Sequence, residues 1–238
     1  MMLGIAAEGK TDQHTIENIL VGYFNSKGYK LSTDEVYQAQ PSGDATDLDN
    51  VNGYGSWTNL LDYLQNEKIK EDVAAYDFLI LQVDTDVCDE KTFNVPITEG
   101  GVDKPVSDLV DDVIERLILE MNSSSPDFYE NNKDKLIFAI SVHSIECWIY
   151  KHFESNTKKS GVAKTKSCEA ALRTVINQNH RKMVRYLSKT KNNYLELTKD
   201  FRKHRSLEGV LRKDISFKIF YENLDVIPIP QVEEDNDW

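Results

Sequence analysis

Apolar residues follow two rhythms along this chain. Continuous runs occur at Leu3-Gly4-Ile5-Ala6-Ala7, at Phe78-Leu79-Ile80-Leu81-Gln82-Val83 and at Leu136-Ile137-Phe138-Ala139-Ile140-Ser141-Val142. Short unbroken runs suit strands covered on both faces, as in a parallel sheet with helices above and below. Elsewhere apolar residues recur three and four apart: Ile16, Ile19, Leu20 and Tyr23 or Phe24; then Trp57, Leu60, Leu61 and Leu64; then Leu109, Val110, Val113, Ile114, Leu117 and Ile118. That spacing predicts amphipathic helices. Glu35-Val36-Tyr37-Gln38-Ala39-Gln40 predicts a further strand. Thr11 or Asp12 is the expected cap of the first helix. Residues 41–54 read as a loop and 87–104 as a surface excursion marked by Pro96 and Gly100-Gly101. Asn122-Ser123-Ser124-Ser125-Pro126 ends the third helix, and a new one opens after His143.

Beyond residue 155 the pattern changes. Residues 156–166, rich in Lys, Ser and Thr, predict a mobile connection. Helical spacing returns through Ala170, Ala171 and Leu172, through Met183 to Leu187, and around Phe217, Phe220, Tyr221 and Leu224. Pro228, Pro230 and Glu233-Glu234-Asp235-Asn236-Asp237 form a tail. The expected fold class is α/β: a mostly parallel four-stranded sheet flanked by helices over residues 1–155, followed by a helical, basic region over 156–238 with an acidic tail.

Composition narrows the function. With 40% hydrophobic residues in 238, a sizeable core is available and wholesale disorder is excluded. No run of about 18 apolar residues exists, so no spanning helix and no membrane are expected. The N-terminus shows no basic leader, so a cytoplasmic protein is expected. Cys88, Cys147 and Cys168 have no zinc spacing and read as reduced thiols. The net charge of -12 argues against a protein that simply coats DNA. Its distribution is uneven: residues 151–218 carry 18 Lys and Arg against 6 Asp and Glu, the rest 10 against 34. An acidic body with a basic C-terminal third suits a metal site beside a phosphate-binding surface, although solvated helix faces also look like this.

The central run ends in Asp84-Thr85-Asp86. In extended chain, residues two apart point the same way, which would present both carboxylates together. At about 4 Å and an effective dielectric of about 20, two such charges repel by roughly 4 kcal/mol, and a cation reverses that cost. Open α/β sheets place ligands at the carboxyl ends of their strands, where this pair would lie.

The order strand-Glu-Gly, helix, strand, helix, strand-Asp-x-Asp, helix, strand resembles the Toprim fold of topoisomerases, primases and the overcoming-lysogenization-defect nucleases. Ala7-Glu8-Gly9-Lys10-Thr11-Asp12 is similar to the Glu-Gly-x-Thr-acid opening of the nuclease branch, and Asp84-Thr85-Asp86 to its Asp-x-Asp. Ser144-Ile145-Glu146-Cys147-Trp148 is similar to the Glu-x-Trp segment of small bacterial Toprim-like proteins, including the RloB type. The resemblance covers about the first 150 residues. It implies that Glu8 acts as general acid/base or metal ligand, that Asp84 and Asp86 hold Mg²⁺ or Mn²⁺, and that Asp12 and Glu146 take catalytic roles. It also implies cleavage of DNA or RNA, within an anti-phage or toxin system working with an ATPase partner. No lysine matches the basic residue of the large nucleases.

Each assignment has a structural counterpart. Asp84 and Asp86 are also ordinary turn residues, Glu8 and Asp12 can serve the helix N-terminus, and Glu146 in apolar company can pair with a cation and do nothing else. Asp44, Asp47 and Asp49 are loop formers or cation neighbours. His143 and His152 lack ligand spacing, Cys147 lacks a base, and Trp148, Tyr150 and Phe153 read as core. Lys158, Lys159, Arg181, Lys182, Arg185, Arg202, Lys203 and Arg205 are the candidate phosphate contacts. A non-catalytic binding subunit and a phosphohydrolase of small phosphate esters remain alternatives; monomer and dimer are equally open.

Overall fold

The computed structural model describes residues 1–39, 56–154 and 167–230. Its centre is a parallel four-stranded sheet in the order β2-β1-β3-β6. The strands are β1 (Leu3–Ala7), β2 (Val36–Gln38), β3 (Phe78–Asp84) and β6 (Leu136–Ser141), with β4 (Thr98–Glu99) and β5 (Val102–Asp103) forming a separate antiparallel hairpin. Helices α1 (Lys10–Ser26), α2 (Ser56–Gln65), α3 (Glu67–Ala75), α4 (Val106–Ser124), α5 (Phe128–Asn132) and α6 (Ile145–Phe153) accompany the sheet. The C-terminal part contributes α7 (Cys168–Asn179), α8 (Lys191–Leu197), α9 (His204–Leu211) and α10 (Ile215–Asn223).

The continuous apolar runs are continuous because both faces are covered. Leu3, Ile5, Ala7, Ile80, Ile137 and Ala139 join α1, α6 and the C-terminal helices in one core. Ala6, Leu79, Leu81, Val83, Leu136, Phe138 and Ile140 join α2, α3 and α4 in the other. The strand period of two thus sorts one sequence run between two cores. Trp148 anchors the C-terminal helices, stacked on Phe220 at 5.6 Å with its Nε1 donating to Ser216 Oγ at 2.9 Å. Ser216 Oγ donates to Asp214 Oδ1, which also accepts Phe217 N–H and caps α10.

Several expectations are corrected. The first helix is capped by Gly9, not by Thr11 or Asp12; Asp12 sits in the first turn and its carboxylate takes the Gly9 N–H from there. The strand expected over residues 35–40 is only Val36–Gln38, because Thr33–Glu35 forms a 3-10 turn closed by a Ser32 capping box. Met183 to Leu187 lies mostly in a 3-10 turn, Arg181–Tyr186. The excursion after residue 87 is pinned to the core by buried Phe93 and Val95. Cys147 and Cys168 are joined in a disulfide between α6 and α7, so three reduced thiols are not what the fold contains; Cys88 is free and buried. Trp148 and Phe153 are buried, as expected of core residues. No helix among the described residues is long and apolar enough to cross a membrane. Asp44, Asp47 and Asp49, the connection at 156–166 with Lys158 and Lys159, and the acidic tail lie outside the described residues.

Candidate functional site

The strand order reverses between β1 and β3, and the crevice beyond their carboxyl ends is where open α/β sheets bind ligands. Both strand ends are acidic. Ala7 pairs with Gln82, which sets Glu8 beside the next turn of β3, and Glu8 Oε1 accepts the Asp84 N–H at 2.8 Å. Asp84 pairs with Ser141 on β6. Its Oδ1 accepts from Ser141 Oγ at 2.5 Å, Gln82 Nε2 at 2.8 Å and the Ile145 N–H at 3.0 Å. The last donor is one of the free amides at the start of α6, where a carboxylate is favoured. Asp84 is therefore buried but held by three donors on one oxygen.

Asp86 does not lie beside Asp84 as extended chain would place it. The strand stops at Asp84, and Thr85–Val87 turns as a 3-10 segment that leaves Asp86 exposed on the rim. This turn is tied to the β6–α6 loop: Asp86 N donates to His143 O, and His143 N donates to Thr85 Oγ1 at 2.7 Å. His143 adopts φ 68°, a left-handed conformation uncommon for a side chain of this size, so it shapes the loop from its backbone.

Glu146, in the first turn of α6, also reaches the rim. Its Oε1 accepts from Tyr194 OH at 2.8 Å and lies 3.1 Å from Lys189 Nζ, which in turn sits 3.3 Å from Glu169 Oε2. Neither Lys189 nor Tyr194 stands out in the sequence. Lys189 is one of many basic residues in its third of the chain, and only the packing of α7 against α6 and of α8 against α1 brings it to the acids.

The electrostatics show how closely the acids share one field. Burial pushes Glu8 up to about 8, helped by the charges of Asp12 and Asp86 and opposed by the Asp84 N–H. Burial pushes Asp12 up to about 7, with Glu146 adding and Lys189, the Thr11 hydroxyl and the Gly9 N–H opposing. Asp84 is raised well above the usual range by burial and by Asp12, Glu8 and Glu146, while Asp86, exposed as a residue, is raised by the partial burial of its carboxyl and by Glu146. Burial alone would raise Glu146 too, but Lys189 and hydrogen bonds from Ser144 and Tyr194 hold it below its ordinary value. Gly9 makes room for this arrangement: a Cβ there would stand 3.0 Å from Asp12 Oδ2.

Among the described residues no three His, Cys, Asp or Glu side chains stand in a ligand arrangement around one point. The donor chemistry nevertheless suits a hard cation: all-oxygen, strongly anionic, and short of positive charge, as the raised carboxyls require. Gln82 Oε1, the other end of the amide that holds Asp84, is buried with no hydrogen-bond donor among the described residues. Glu8, Asp84 and Asp86, with Asp12, are the residues that would hold Mg²⁺ or Mn²⁺.

The basic candidates scatter. Arg181, Lys182 and Arg185 are exposed on one turn, with Arg185 4.8 Å over the Tyr186 ring. Lys203 pairs with Asp200, and Arg205 is exposed. Arg202 instead folds against α1, its Nε donating to Asn18 Oδ1. His152 faces Asp200 and is held low by burial, a packed histidine. The chain matches no family model, no curated protein and no solved structure.

Proposed function

We propose that this chain is a Mg²⁺- or Mn²⁺-dependent nuclease of the Toprim type, cutting phosphodiester bonds of DNA or RNA. One observation carries the reading: acids remote in sequence, from the β1–α1 turn, the end of β3 and the start of α6, gather at the switch point of the sheet with too little positive charge among the described residues to balance them. A cation bound there would neutralise phosphate charge and lower the pKa of a bound water. Asp84 and, from the rim, Asp86 would hold the ion, with Glu8 as ligand or general base; its raised carboxyl suits proton transfer near neutral pH. Asp12 tunes Glu8 through its charge. Glu146 carries Lys189 to the rim, where its ammonium meets a phosphate oxygen. The resemblance to small Toprim proteins, which can depend on an ATPase, is what brings an ATPase partner and a cytoplasmic defence or toxin system into this proposal. A phosphohydrolase of small phosphate esters would use the same acids.

The alternative of a non-catalytic binding subunit draws on the acids' own geometry: Glu8 spends an oxygen on the Asp84 N–H and no ligand set is pre-assembled among the described residues. Cleavage assays separate the readings. Labelled DNA, RNA and nucleotides are incubated with Mg²⁺, Mn²⁺ or EDTA, using wild type, Asp84→Asn and Asp86→Asn. Asparagine keeps the Oδ1 that accepts three donors, so the fold survives. Metal-dependent cleavage lost in both variants is the expected result. Cleavage that persists in both, or in EDTA, rejects the assignment.

A further inference from the structure

Gln82 is the one polar residue inside the central apolar run Phe78 to Val83, and it is fully buried. Burying an amide in such a strand costs free energy unless its polar atoms are paired. Half of this one is paired. Gln82 Nε2 donates to Asp84 Oδ1 at 2.8 Å and to Ser141 Oγ at 3.2 Å, which spends both of its N–H groups. Those two bonds fix which way the amide faces, because the reverse orientation would set Oε1 against the Asp84 carboxylate. Oε1 is left without a donor, and among the described residues no other buried side-chain atom is in that state. Such an atom marks a place for a water or an ion.

The position of Gln82 suits that use. It pairs with Ala7, next to Glu8, and faces the same side of β3 as Asp84. The two ends of an amide lie about 2.3 Å apart, so Oε1 is within about 5 Å of Asp84 Oδ1. Asp84 divides its own oxygens in a matching way. Oδ1 takes all three donors, from Ser141, Gln82 and Ile145, and Oδ2 takes none among the described residues. One oxygen holds the carboxylate in place and leaves the other for an ion. Mg²⁺ keeps several of its waters, and these need acceptors. An amide oxygen accepts from such a water without adding to the crowded negative charge. We propose that Gln82 is a positioning residue for the cation: Nε2 fixes Asp84 as a ligand, and Oε1 accepts a hydrogen bond from a water on the same ion. The proposal rests on the cation site of the proposed function.

The test reads Mn²⁺ binding by electron paramagnetic resonance of the free ion, with no substrate present. The full chain is compared with Gln82→Met, Gln82→Glu and Ser141→Ala, whose folding is checked by thermal melts in EDTA. Ser141→Ala also takes one donor from Asp84 Oδ1 but leaves Gln82 Oε1 in place. Gln82→Met is expected to weaken Mn²⁺ binding by about tenfold beyond Ser141→Ala, in the range for residues that orient a metal's ligands. Gln82→Glu keeps an oxygen at the Oε1 position and gives up the Nε2 donors, so it should bind Mn²⁺ at least as tightly as wild type. A Gln82→Glu protein that melts low in EDTA and is rescued by Mn²⁺ agrees with this; one that Mn²⁺ does not rescue overturns it. Equal affinities in Gln82→Met and Ser141→Ala would mean that Gln82 only steadies Asp84, and would overturn the proposal. So would a Gln82→Glu as weak as Gln82→Met, or no Mn²⁺ binding by wild type. Mn²⁺ bound in the expected order without cleavage of any nucleic acid supports the role of Gln82 and rejects the nuclease. Metal-dependent cleavage with Mn²⁺ affinity indifferent to Gln82 does the reverse.

Discussion

Raising the pH of the metal-free protein from about 5 to about 8 should cost it stability through the acidic rim. The Glu8 carboxyl sits at about 8 against an ordinary 4.5, and Asp12 at about 7 against 3.8. Between those values the folded chain keeps protons that the unfolded chain has released. These groups therefore leave stability intact below about pH 4, erode it as pH rises through the window, and have removed their full share above about pH 8. Each proton costs about 1.4 kcal/mol per pH unit. Across pH 5 to 8 that is roughly 4 kcal/mol for Glu8 and 3 kcal/mol for Asp12 taken alone. Each charge is part of the other's shift, and solvent reaches the rim, so their joint effect is nearer 3–5 kcal/mol. For a chain of this size that is roughly 10 °C in Tm. Thermal melts in EDTA, stepped in pH, compare wild type with Glu8→Gln and Asp12→Asn. The variants should show flatter profiles and melt above wild type at pH 8, and Mg²⁺ should stabilise wild type most at high pH, where it no longer competes with protons. Parallel pH profiles for all three proteins would refute the shared field on which the site is built.

The disulfide closes a sequence separation of 21 residues, so reducing it should cost about 3 kcal/mol by loop entropy. Unfolded but unreduced protein should label one thiol, Cys88; three labelled thiols in protein alkylated directly from cells would mean that the bond is absent in that compartment. Lys189→Met should destabilise by about 1–2 kcal/mol at neutral pH, since it strips a buried carboxylate of its half-exposed cation. Glu146 is held below its ordinary value, so this deficit should vanish in urea melts only once the pH falls below the ordinary carboxylate range and Glu146 is protonated. Gly22→Ala would put a Cβ 1.9 Å from Phe201 O, where α1 meets the C-terminal region, and should cost about 3 kcal/mol in urea unfolding. Gly209→Ala, with nothing within 4 Å, should instead gain about 0.5–1 kcal/mol.

The sheet was legible in the sequence because burial on both faces leaves a local mark. Leu3 to Ala7, Phe78 to Val83 and Leu136 to Ser141 are apolar without alternation, and three of the four strands could be placed by that alone. The edge strand was blurred because only its inner side packs, and a 3-10 turn took its first residue. Helices with a regular stripe, α1, α2 and α4, were equally plain. Cap placement was not: Gly9 offers no side chain to announce itself, and room for the Asp12 carboxylate is a matter of neighbours.

Strand ends are adjacent in a parallel sheet, so acids at the ends of separate apolar runs could be expected at one rim from the sequence alone. How they meet could not. Asp86 leaves the strand direction because the chain turns at Thr85, held by a bond to the His143 loop 58 residues away. Lys189, Tyr194 and the cystine partner Cys168 reach Glu146 and Cys147 only because α7 folds back over α6 and α8 over α1. Period and composition record what each segment buries. Which charges face one another across that burial is decided by long-range packing, which leaves no periodic trace in the chain.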